Sequence, residues 1–281
     1  MIKVPELKSQ YIWAVLLVVY LFTAIQPIGA PFQMSDATIK AHDVIESLPP
    51  KSIVAMGGSG VFAFDLESSA AQIAAIIQMA RKGLRLVAVP LGTEAVQFEK
   101  YCIDAALVDK KFGGPWTYGV DYVVLPYLAG GSAALVSFLT SVRSQVSTDV
   151  KGTPIDQLPI MNDFRSYKDI ALWTCPHRDF PIIARYVTGE RGIPSIAFAQ
   201  AAAYSLYAVY MMIYPDKIWM TNGFLGGAQY EDLEGISGLG HAAIDSYAII
   251  SAVVIAFIVL GNIRLLSTLG DEKEEVKEEK V

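Results

Sequence analysis

The residues best spaced for chemistry are Gly58-Ser59-Gly60-Val61-Phe62-Ala63, which satisfy G-x-G-x-x-G/A directly after a short apolar run and ahead of a helical pattern. Backbone N–H groups in such a turn converge at a helix N-terminus, where the helix dipole favours a phosphate or a carboxylate. Tight-turn glycines that hold no ligand are the competing reading. A second glycine turn, Ala129-Gly130-Gly131-Ser132, follows another apolar run. If both turns end strands of one parallel sheet, Gly58, Ser59, Gly60, Gly130, Gly131 and Ser132 line one crevice at the carboxyl ends of the strands. Alternatively, Gly131-Ser132 does no more than start a helix.

Other constellations are less specific. Cys175-Pro176-His177-Arg178-Asp179 ends a further apolar run. Adjacent residues seldom give the geometry of a nucleophile and its base, so a loop with Asp179 as a helix cap is expected there. With three histidines, His42, His177 and His241, and two cysteines, Cys102 and Cys175, far apart in sequence, no metal site is expected. Two buried thiols are the simpler reading of the cysteines, and one bridge the alternative. Asp149, Asp156, Asp163 and Asp169 are too irregularly spaced for a calcium loop. Tyr230-Glu231-Asp232 concentrates charge in an apolar stretch, as a helix cap or as a contact with a neighbouring subunit. There is no G-x-S-x-G elbow, H-E-x-x-H or P-loop. The first glycine pattern gives residues 51–140 a fold-level resemblance to dinucleotide-binding domains. No Asp or Glu closes the second apolar run LRLVAVPLGT to hold a ribose, however, and no cofactor is predicted.

The elements that would position these residues alternate. KSIVAMGG, LRLVAVPL, DYVVLPYL, DIALWTC and IPSIAFA read as five strands, and LESSAAQIAAIIQMARKG, TEAVQFEKYCIDAALVDKK and GSAALVSFLTSVRSQV as helices between the earlier ones. Strands apolar almost throughout indicate a parallel sheet covered on both faces. The expected fold is therefore α/β, a doubly wound, mostly parallel sheet in three layers, flavodoxin-like or Rossmann-like. Two stretches break the pattern: an irregular one from Ser147 to Lys168, long enough to be functional, and one from Trp219 to His241 holding six glycines.

Of 281 residues, 53% are hydrophobic, and the mean hydropathy is +0.40, as expected if part of the chain lies in lipid. The net charge of −6 and the absence of a Lys/Arg cluster with interleaved aromatics exclude a nucleic-acid partner. Residues 246–263 are free of charge and would span about 27 Å as a helix, the thickness of a bilayer core. Residues 11–28 resemble an uncleaved signal-anchor. Lys3, Lys8, Arg264, Lys273, Lys277 and Lys280 flank the terminal sides of these segments, against Lys40 alone on the inner side. The bias places both termini in the cytoplasm and the rest outside it, at the cell membrane. The expected order is a cytoplasmic end (1–10), a transmembrane helix (11–28), an extracytoplasmic α/β domain (31–218), a glycine-rich collar (219–245), a second transmembrane helix (246–263) and a charged cytoplasmic tail (264–281).

Within the second span, Ala248, Ala252 and Ala256 recur every fourth residue, a small-residue stripe of the kind on which membrane helices associate. His241 and Asp245, four apart just before it, would face each other at the membrane surface. The function expected is a two-span membrane protein whose domain is a binding or assembly module, a homo-oligomer or part of a membrane-protein complex. The alternatives are a membrane-anchored hydrolase or transferase using the glycine crevice, or a small transporter or channel subunit if 192–215, also free of charge, forms a third span.

Overall fold

The computed structural model describes residues 8–26, 28–108 and 116–278 and divides into two compact units, Phe32–His241 and a second made of Met1–Pro31 with Ala242–Val281. Lys3, Asp109–Pro115 at the end of the predicted second domain helix, and Lys280 lie outside the described residues.

After α1 (Ser9–Ile25), which lies in the other unit, the order in Phe32–His241 is α2 (Asp36–Ser47), β1 (Ile53–Met56), α3 (Phe62–Arg81), β2 (Arg85–Ala88), α4 (Ala95–Leu107), β3 (Tyr122–Val124), α5 (Gly131–Thr140), α6 (Pro159–Asn162), β4 (Ile170–Pro176), α7 (Phe180–Ile183), β5 (Ser195–Ala199), α8 (Ala201–Tyr207), α9 (Val209–Ile213), β6 (Ile218–Asn222) and α10 (Gly223–Glu234). The six strands are all parallel, in the order β3-β2-β1-β4-β5-β6. Alternation within each strand feeds two cores. Ile53, Ala55, Ala197 and Ala199 face one side, with Leu135, Phe138, Phe180 and Ile183 of α5 and α7. Val54, Met56, Ile196 and Phe198 face the other, with Ile45, Ile76, Phe98 and Tyr230 of α2, α3, α4 and α10. Both faces are covered, which is why the strands are mostly apolar, with Thr174, Ser195 and Thr221 as buried exceptions.

The five expected strands are present, and a sixth, β6, lies inside what reads in sequence as a collar. Residues 219–241 belong to the α/β unit: their glycines let α10 press against α3, where a Cβ on Gly227 would come within 2.5 Å of the Ala70 Cβ. Residues 195–199 pair with β4 on one side and β6 on the other, so the charge-free stretch 192–215 is a central strand followed by the short α8 and α9 rather than a third span.

The second unit contains α1 (Ser9–Ile25) and most of α11 (Leu239–Glu278). Among the described residues one helical segment, Leu239–Thr268, is long and apolar enough to cross a membrane. The apolar α1 has 17 residues, the lower limit for a span. The Thr23 and Ser246 hydroxyls are 2.6 Å apart, and the Asp245 carboxylate accepts the backbone N–H groups of Ile28, Gly29 (3.1 Å) and Ala30 (2.6 Å). The charged tail from Arg264 continues the same helix through Glu278.

Candidate functional site

Strand order reverses between β1 and β4, so the helices that follow them leave on opposite faces and the carboxyl ends of these two strands form the switch point of the sheet. The first glycine turn lies there. Its chain is pinned on all sides: the Gly57 N–H donates to the Thr174 carbonyl (2.9 Å), the Gly57 carbonyl accepts from the Trp173 indole (3.0 Å), and the Gly58 carbonyl accepts from the Leu91 N–H (3.0 Å).

The glycines are required by the protein's own packing. A Cβ on Gly58 would lie 2.9 Å from the Cys175 sulfur, and one on Gly60 2.4 Å from the Phe98 ring. Phe98 and Cys175 are both fully buried and cannot move aside. Ser59, the residue between the two glycines, donates its hydroxyl to the Asp179 carboxylate. Asp179 therefore holds Ser59 rather than capping α7 with its side chain, as the sequence suggests.

The electrostatics of the turn run against an anion. Val61 N–H, at the start of α3, is already taken by the Asp65 carboxylate (2.8 Å). Asp65 and Glu99 are completely buried, and Asp179 stands beside them. Burial pushes the Glu99 carboxyl well above the usual carboxylate range, against a smaller opposite influence of the Gly58 N–H. Burial likewise pushes both thiols well up, with Glu99 and Asp65 adding to the effect at Cys102, and Asp179, Glu99 and Asp65 adding to it at Cys175. Both cysteines are free and buried, and neither is a thiolate nucleophile. The nearby cation, Arg178, lies over the Phe64 ring at 5.1 Å. The His177 side chain is outside the described ones. The Ser59–Asp179 pair orients a hydroxyl but gives it only a weak carboxylate base.

The second glycine turn follows a different strand. Gly130 and Gly131 open α5 after β3, which β2 separates from β1 in the sheet. Ser132 lines an open groove of 480 Å³ with Pro181, Arg185 and Tyr210, whose lining includes no residue of the Gly58 turn. A third cluster, His42, Glu46 and Glu234, has ligand atoms close enough for a metal. Arg81 already occupies it, with its guanidinium on Glu46 (2.9 Å) and Glu234 (3.0 Å), while the His42 Nε2–H donates to Glu234 (2.9 Å). Burial alone would raise Glu46, but donors from Gln78, Arg81 and Lys82 hold its carboxyl at about 2. The hydrogen bond that His42 donates to Glu234 raises its imidazole above the ordinary value. The cluster ties α2, α3 and α10 together as an ion-pair network.

Glu231 has a related part. Its carboxylate accepts the N–H groups of Gly238 (3.1 Å), Gly240 (2.8 Å) and His241 (2.9 Å) and faces the His241 ring (2.7 Å). It thus caps the start of α11, where sequence spacing suggests a cap for α10. The second ring nitrogen of His241 faces Asp232 (2.9 Å), so both nitrogens are taken by α10 residues, not by the Asp245 that spacing favours.

Sequence reasoning missed Glu99 and the pairing of Ser59 with Asp179. A signal for the first exists: Ala95, Phe98, Cys102, Ile103 and Ala106 form the buried stripe of α4, and Glu99 falls within it. Nothing local links residues 59 and 179. No family model, curated protein or solved structure matches the chain.

Proposed function

We propose that the protein is a two-span membrane protein whose α/β unit is an extracytoplasmic binding or assembly module, with both termini in the cytoplasm. The observation that carries this reading is the tie between the two apolar helices. A carboxylate that accepts three N–H groups just beyond α1, and a hydroxyl pair one residue further along α11, hold the domain-side ends of α1 and α11 together. Such satisfied polar contacts are what two helices ending together at a membrane surface need. The six-to-one bias of Lys and Arg supports the orientation. Ala248, Ala252 and Ala256 are all exposed, whereas Ile249, Val253 and Phe257 are partly covered, which leaves the small-residue face open for a second copy.

The reading is tested by labelling intact cells with a membrane-impermeant thiol reagent. The native thiols are buried, so Gln157→Cys, at an exposed position, is expected to react and Glu275→Cys to be spared; labelling of the tail alone would reverse the orientation and sink the proposal. In the same membranes Ala252→Ile is expected to lower the yield of crosslinked oligomer several-fold. An unchanged yield would remove self-association through the stripe.

A further inference from the structure

The irregular stretch after α5 suggests a functional loop, and its structure gives that suggestion a place. Asp149, buried to 3% exposure, organises the loop: one carboxylate oxygen accepts the N–H groups of Lys151 (2.9 Å) and Thr153 (2.7 Å), and the other accepts the Tyr118 hydroxyl (2.7 Å). The Val150 N–H donates to the carbonyl of Val124 (3.1 Å), so the loop is stitched to β3 at the edge of the sheet. Its side chains roof a cavity of 320 Å³ between β3 and α4, lined among others by Gln97, Lys100, Tyr118, Tyr122, Val124 and Lys151.

Three features of this cavity define a ligand. The volume is at the lower end of the range of about 300–1,000 Å³ usual for small-molecule sites, which limits the occupant to one or two rings. The walls are flat and apolar: the Tyr118 and Tyr122 rings meet edge to face at 5.3 Å, with valine side chains beside them. Charge is carried on the lining by two ammonium groups, Lys100 and Lys151, and one carboxylate, Asp104, which pairs with Lys100. The Asp149 carboxylate beneath the loop adds a second negative charge, but its oxygens are turned to their three donors. The Lys151 ammonium sits over the Tyr118 ring, 3.3 Å from its centroid, rather than on a carboxylate. A cation held on an aromatic face keeps its remaining donors for an incoming anion. Burial, and then the hydrogen bond to Asp149, raise the Tyr118 phenol, so that ring stays neutral and its hydroxyl stays a donor.

We propose that this cavity binds a small aromatic carboxylate, with its ring against the wall that the Tyr118–Tyr122 pair and the valines form and its carboxylate on Lys151. The site lies at the sheet edge, away from the switch point, and does not depend on the membrane tether.

The test uses the full chain purified in detergent and two probes with the same ring system and opposite charge, naphthoate and naphthylmethylamine, titrated by ligand-observed NMR. Naphthoate is expected to bind saturably and the amine not to bind. Lys151→Met is expected to weaken naphthoate about ten-fold or more, while Arg143→Met, a surface control outside the cavity, leaves it unchanged. Lys100→Met, also exposed, provides a second reading if Lys151→Met fails to fold, with a loss of several-fold. Equal binding of the two probes, no saturable binding of naphthoate, or binding unaffected by either cavity lysine would overturn the proposal.

Discussion

At the junction of β1 and β4 the chain fills its own turn, whereas beside β3 it leaves a cavity open. The first region has glycines, a helix N-terminus and the position in the sheet where ligands of such folds are expected, yet Phe98 and Cys175 occupy the space that side chains at Gly60 and Gly58 would need. The second has no recognisable motif, yet a loop fixed by one buried carboxylate brings two tyrosines and two lysines around 320 Å³ of space. Topology marks where a site is easy to build. Packing decides whether one is there.

The largest expected effect tests the closed region. Gly60→Val must displace the buried Phe98 ring, so it is expected to destabilise the α/β unit by about 3 kcal/mol, the upper part of the range for overpacking. Chemical denaturation of the purified protein measures this, and adding Phe98→Leu to the same chain is expected to recover part of the loss. Full tolerance of Val at position 60 would mean that the turn has room, and the contrast would fail.

A smaller effect is expected at the open region. Asp149→Ala leaves the Tyr118 hydroxyl and the N–H groups of Lys151 and Thr153 without their acceptor, at a cost of about 2 kcal/mol. Because those bonds hold the loop on β3, amide exchange of residues 149–153 is expected to quicken in the variant more than exchange in β1 or β4. Uniform quickening across the sheet would show that the loop is not an independent lid on the cavity.

The smallest effect concerns charge at the switch point. Glu99 is raised well above its ordinary value of 4.5, so the folded state holds a proton that the unfolded chain loses. Stability from this group is fully present below pH 4.5 and is lost as pH rises through the folded value. Glu99→Gln cannot titrate, and its stability is expected to fall less than that of the wild type between pH 4.5 and 7. Parallel profiles would mean that Glu99 is ionised in the fold and that the region is more polar than its burial implies. His42, raised chiefly by its bond to Glu234, contributes in the same direction in both proteins and cancels in the comparison.

Five of the six strands, the helices between the earlier ones and the apolar segment near the C-terminus are legible in the sequence because they rest on local periodicity. β6 is not, since its five residues stand next to glycines that suggest a loop and gain their meaning only from α10 packing on α3. Gly58 and Gly60 show the same limit more sharply. Their spacing is compatible with an anion cradle or with close packing, and the choice depends on residues 98 and 175, which no local pattern connects to them.

By itself the sequence determined the alternation of strands and helices, the buried character of the sheet and the charge-free helix near the C-terminus, because each is a property of neighbouring residues and their transfer from water. Only the tertiary structure decided the strand order, the partner of Ser59, the burial of Glu99 and the cavity roofed by Lys151. Those depend on groups distant along the chain, whose separation, burial and shared hydrogen bonds exist only once the layers have packed.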